Sequence, residues 1–72
     1  MKITEEQKQL LMATTLDNGT NAWEFVLSRP EASRPWVAAG ILSCIKNGYH
    51  LNLMMVGWEA RDIRAAAEKK QP

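Results

Sequence analysis

With 72 residues, nine Lys/Arg against eight Asp/Glu and a net charge of +1, the chain has room for one domain. It carries no global field that would draw it to nucleic acid or to a membrane surface. Its single cysteine, Cys44, excludes an internal disulfide and every multi-cysteine zinc pattern, and a lone thiol suits a reducing, intracellular setting. A domain this small buries only roughly 60% of the surface that its unfolded chain exposes, so close helix packing or a second subunit must replace the missing staples.

The opening Met1-Lys2-Ile3-Thr4-Glu5-Glu6 sets acidic residues where a signal peptide would carry its apolar run, so no leader is expected. Thr4 with Gln7 three residues later forms a capping-box pattern, and Glu5 and Glu6 fall in the first turn, where carboxylates favour the positive end of the helix dipole. A helix over Thr4–Asn18 follows, closed by Asn18-Gly19, with Ile3, Leu10, Leu11 and Leu16 as its apolar face. Asn21 with Glu24 repeats the cap pattern and starts a two-turn helix over Asn21–Arg29, which Pro30 ends. Trp23, Val26 and Leu27 are its expected buried side, with Phe25 pointing elsewhere, to cap a different part of the core or to form part of an exposed apolar site.

Pro30–Pro35 is a hinge, with Ser33 as a candidate cap and Pro35 in the first turn of a helix over Ser33–Asn47. Val37, Ile41, Cys44 and Ile45 fall at i, i+4, i+7 and i+8, and Ala38, Ala39 and Gly40 allow a neighbouring backbone to come close. Asn47-Gly48 closes this helix. From Pro35 to Trp58 the only full charge is Lys46, which makes this stretch the apolar centre of the chain. The uncharged runs on either side of Lys46, Pro35–Ile45 and Asn47–Trp58, are eleven and twelve residues, against the roughly twenty that a spanning helix needs.

Tyr49–Val56 alternates apolar and polar residues over Tyr49, Leu51, Leu53 and Met55, the period of a half-buried strand. No second strand is visible to pair with it, so the reading taken is a turn that runs into a final helix over roughly Asn52–Lys70. Val56, Ala60, Ile63 and Ala67 would line the inner face of that helix, with Arg61, Asp62, Arg64 and Glu68 outside. The expected fold is therefore all-α: a single domain over residues 1–72, of three to four short helices, frayed at 1–3 and 71–72. Self-association through Tyr49–Trp58, as a homodimer, is the preferred way to complete its core.

The candidates for chemistry are few. His50 is the sole histidine, without nearby companions to make it a base or a metal ligand, and Cys44 sits on an apolar stripe where a thiol packs as a small hydrophobe. Gly19, Gly40, Gly48 and Gly57 occur singly and cradle no phosphate. No catalytic set, cofactor or metal is expected. Trp23, Trp36, Tyr49 and Trp58, with Met54 and Met55, are residue types enriched at the centres of protein interfaces. The expectation is a small cytoplasmic, non-enzymatic interaction module that binds a protein partner and regulates or inhibits it: an adaptor, a regulatory subunit, or an inhibitor of the kind carried by phages and mobile elements. Tyr49, Met54, Met55 and Trp58 would be its apolar anchors, with Arg61 and Arg64 as flanking polar contacts. The alternative is a helix-turn-helix-like regulator that contacts DNA phosphates through Arg29, Arg34 and Lys46. Against it, the helix after Asn47-Gly48 opens on Leu53, Met54, Met55 and Val56, where base-reading polar residues would be wanted.

Overall fold

Four α-helices make up the architecture in the computed structural model, which describes residues 2–70. They are α1 (Glu5–Met12), α2 (Ala22–Ser28), α3 (Arg34–Asn47) and α4 (Leu53–Lys69), with a 3₁₀ turn over Glu31–Ser33 leading into α3. The all-α expectation is met, and among the described residues no helix is long and apolar enough to cross a membrane. The expected fraying of Met1 and of Gln71-Pro72 falls outside the described residues; Ile3 packs against the core.

Three of the four starts follow from side-chain caps. The Thr4 hydroxyl accepts from the Gln7 N–H (3.1 Å) while the Thr4 N–H donates to Gln7 Oε1 (3.0 Å), completing the capping box. Asn21 Oδ1 accepts from the Glu24 N–H (3.2 Å), and Asn52 Oδ1 from the Met55 N–H (2.8 Å). Asn52 thus starts α4, and Leu53–Val56 is helix rather than strand. The alternation over Tyr49–Met55 is only the loop and the first turn of that helix.

The end of α1 departs from expectation. It stops at Met12, and Asn18-Gly19 instead closes a tight turn, with Gly19 at φ 87 and its N–H donating to the Leu16 carbonyl (2.9 Å). Thr14 and Thr15 are poor helix formers, and Thr14 turns its hydroxyl back onto the Leu10 carbonyl (2.7 Å). The chain then doubles back, pairing Leu16 N–H to the Thr20 carbonyl and Ala22 N–H to the Thr14 carbonyl, which drives Leu16 into the core. Asn21 holds the junction. Its amide donates to the Met12 carbonyl (2.8 Å), an orphan of the α1 terminus, while its oxygen caps α2.

The core consists of Leu11, Leu16, Ala22, Val26, Ala38, Ile41, Cys44 and Val56, with α3 at its centre. Against expectation, Leu10, Leu27 and Ile45 are exposed: α1 turns Leu11 into the core, α2 turns Ala22 and Val26, α3 turns Ala38, Ile41 and Cys44, and these three neighbours point past it. Phe25, off the Trp23–Val26–Leu27 side, packs against another part of the core, the first of its two expected roles. α3 and α4 form an antiparallel hairpin, as the pairings Ser43–Glu59, Gly40–Val56/Ala60 and Trp36–Arg64 require. Gly40 sets their separation: a Cβ there would lie 2.8 Å from the Val56 carbonyl oxygen and 2.9 Å from the Ala60 nitrogen. Gly48, at φ 71, ends α3, and the Tyr49 N–H returns to the Cys44 carbonyl (2.9 Å).

Candidate partner-binding surface

At 100° per residue, Val56 and Ala60 fix which side of α4 faces α3, and both are buried there. Met54 and Trp58, one turn apart, then fall on the opposite side, 64% and 49% exposed. Arg61 continues that ridge toward the C-terminus, also exposed. Tyr49, 44% exposed, stands in the loop between α3 and α4, one turn after exposed Ile45. Met55 does not join them. It is rotated toward the core, packs against it and is half-buried, so of the four expected apolar anchors three are free and one belongs to the fold. The first two turns of α4, Leu53–Trp58, are charge-free on all sides, a composition usual for a helix enclosed by neighbours. Here only one side is covered.

Arg64 lies on the flank of α4 nearer α3. Its guanidinium stands over the Trp36 ring (5.9 Å) and its Nε donates to Glu68 Oε1 (3.2 Å), the expected i,i+4 pair. On this flank a groove runs between α2, α3 and α4. It comprises two adjoining hollows of about 330 and 310 Å³ that share Val37, Gly57 and Ala60 as a floor. Phe25, Arg29 and Leu53 wall one end; Ser33, Trp36, Arg61 and Arg64 wall the other. Arg29 stands over the Phe25 ring at 5.1 Å, as Arg64 does over Trp36. Sequence reading missed this groove, although an isolated glycine among apolar helix residues, Gly57, is a signal of a gap or a close approach. A Cβ there meets nothing within 4 Å.

The basic residues of the DNA-binding alternative are not brought into one patch. The Arg34 guanidinium donates to the carbonyls of Leu27 (2.9 Å) and Arg29 (3.0 Å), closing the end of α2. Arg29 is beside it, but Lys46 is twelve residues along α3, about 18 Å of helix rise away. On the remaining side of the α3–α4 hairpin, Ser43 Oγ donates to Glu59 Oε1 (2.6 Å), and Asn47 Nδ2 donates to the Ser43 carbonyl (2.9 Å). Cys44, fully buried, has its thiol pushed up by burial and secondarily by the Glu59 carboxylate. His50 is exposed, and no group of three His, Cys, Asp or Glu among the described residues is placed to hold a metal ion. No protein-family model, curated protein or solved structure matches the chain.

Proposed function

We propose that this chain is a non-enzymatic interaction module of the cytoplasm that regulates or inhibits a larger protein by occupying part of its surface. The observation that carries this reading is the Met54–Trp58 ridge: two large apolar side chains, one turn apart, exposed on the side of α4 turned away from its own core. Apolar surface in water is unfavourable by roughly 25 cal/mol per Å², and Trp, Tyr, Met and Arg are the types that anchor protein contacts. Tyr49 at one end and Arg61 at the other extend the ridge into a contact with an apolar centre and a polar rim. A second copy of the chain is one occupant that the ridge could take, as a symmetric helix-on-helix dimer.

The test compares the native chain with a Met54→Ser/Trp58→Ser variant, in affinity capture and in sedimentation equilibrium, with circular dichroism as control. A partner or dimer held by the native chain and lost by a variant of unchanged helicity supports the reading. Loss of helical signal in the variant would assign the ridge to the fold instead. Anisotropy with labelled duplex DNA covers the competing class: tight binding that weakens with salt at a log–log slope of about −0.9 per phosphate contact would replace the proposal with nucleic-acid recognition.

A further inference from the structure

We propose that the groove beside Gly57 receives an acidic amphipathic helix of a partner protein. The apolar ridge of that helix would sit on Val37, Gly57 and Ala60, with carboxylates set against Arg29, Arg61 and Arg64. The proposal rests on reading the chain as an interaction module. It names the partner chemistry of a second face, which meets the Met54–Trp58 ridge only at Arg61.

The first support is shape. Glycine in a helix interior costs about 0.5–1 kcal/mol relative to alanine, and at Gly57 no crowding requires it, since a Cβ would meet nothing within 4 Å. What its absent side chain does is keep the floor low where the two hollows join. The groove stays open along its length, between helices of one hairpin and the end of α2. Such a trough takes the side-chain ridge of another helix, whereas a small-molecule pocket encloses roughly 70–90% of its ligand.

The second support is charge. Three guanidinium groups line the groove and, among the described residues, no carboxylate does, although the chain as a whole is nearly balanced. Arg29 and Arg64 lie over Phe25 and Trp36. A guanidinium stacked on a ring keeps its in-plane N–H donors available, the geometry suited to carboxylates. Glu68 engages Arg64 from one turn further along α4, in a pair half-exposed on both sides and therefore weak and easily exchanged. An acidic peptide helix matches both the floor and the rim. A nucleic-acid backbone would match the rim alone.

The test uses a fluorescein-labelled peptide of the length of α4, with leucines along one face and glutamates flanking them, titrated with the full chain by anisotropy. Gly57→Leu fills the floor from an uncrowded surface position, so the variant is expected to fold and to bind about tenfold or more weakly. Arg29→Glu/Arg61→Glu should weaken binding at least as much, by placing like charges against the peptide. Met54→Ser/Trp58→Ser should leave it unchanged, which separates this groove from the ridge. The proposal is overturned if the acidic peptide does not bind, if a peptide with lysine in place of glutamate binds equally, or if Gly57→Leu binds as the native chain does. Preference for duplex DNA over the peptide, lost in Arg29→Glu/Arg61→Glu, would also overturn it.

Discussion

The two uncharged runs on either side of Lys46 look alike as sequence and meet opposite fates. In α3, the run Pro35–Ile45 packs against α1, α2 and α4, burying Ala38, Gly40, Ile41 and Cys44 and leaving only Ile45 exposed. In α4, the continuation through Trp58 has one packed side; Val56 is buried while Leu53, Met54 and Trp58 stay about half-exposed or more. Both runs have the same apolar character, so composition does not decide which becomes core. The number of helices that surround each run does, and among the described residues α4 has only α3 beside it over most of its length.

The largest effect is expected where the two helices touch. Gly40→Leu would force a side chain into the Val56 carbonyl and the Ala60 nitrogen, backbone atoms that cannot swing aside. Overpacking of this kind costs about 3 kcal/mol, a drop in Tm of roughly 15 °C for a domain of this size. Thermal unfolding followed by circular dichroism measures it. A change of only a few degrees would mean that α4 can leave α3 without loss, and the contrast between the two runs would fall.

A smaller effect, confined to alkaline pH, belongs to Cys44. Burial, with the Glu59 carboxylate adding to it, holds the thiol above its ordinary value of 9.0. The folded chain therefore keeps the proton more tightly than the unfolded one. This stabilisation is complete below 9.0 and is lost as pH rises through the raised value. Urea midpoints should fall more from neutral to alkaline pH in the native chain than in Cys44→Ala, and the native thiol should resist alkylation at neutral pH. Rapid alkylation without unfolding would show the α3 run to be less enclosed than its packing indicates.

Much of this arrangement is readable from local chemistry, and the exceptions share one cause. Thr4, Asn21, Asn52 and Gly48 carry their signals in their own side chains or in the lack of one, and each element boundary they mark is where expected. The end of α1 is different. Met12 and Ala13 carry no stop signal; the carbonyl left over at Met12 is satisfied by Asn21, nine positions on, across a turn that the sequence alone does not display. Asn18-Gly19 has the same composition as Asn47-Gly48 and serves a turn rather than a helix end. Met54 and Met55 make the same point at the candidate site. They are adjacent and chemically identical, and only the phase fixed by Val56 and Ala60 sends one to solvent and the other to the core. The groove is further from reach, because Phe25, Val37 and Gly57 come from three helices.

A gain in stability is the next expectation down. Gly57→Ala adds a methyl group to open space in a helix interior and should stabilise the fold by about 0.5–1 kcal/mol. Denaturant unfolding gives the sign. Destabilisation would mean that α4 packs more closely on this flank than its open groove implies. Gly40, set in α3 against the packed side of α4, and Gly57, on the open flank of α4, then separate these two sides by the opposite signs expected when a side chain is added at each.

The smallest expected effect falls on the residue with the greatest exposure on the ridge. Met54→Ser removes an apolar side chain that is 64% exposed, from the face of α4 turned away from α3, so at micromolar protein the unfolding free energy should move by no more than about 0.5 kcal/mol. Concentration turns this near-zero result into a test of what covers the ridge. If a second copy does, Tm of the native chain rises with protein concentration and the Met54→Ser variant loses that rise, because only the folded, associated form gains from mass action. If the occupant is a different protein, both chains unfold at a Tm independent of concentration, and the difference between them emerges only when that partner is added.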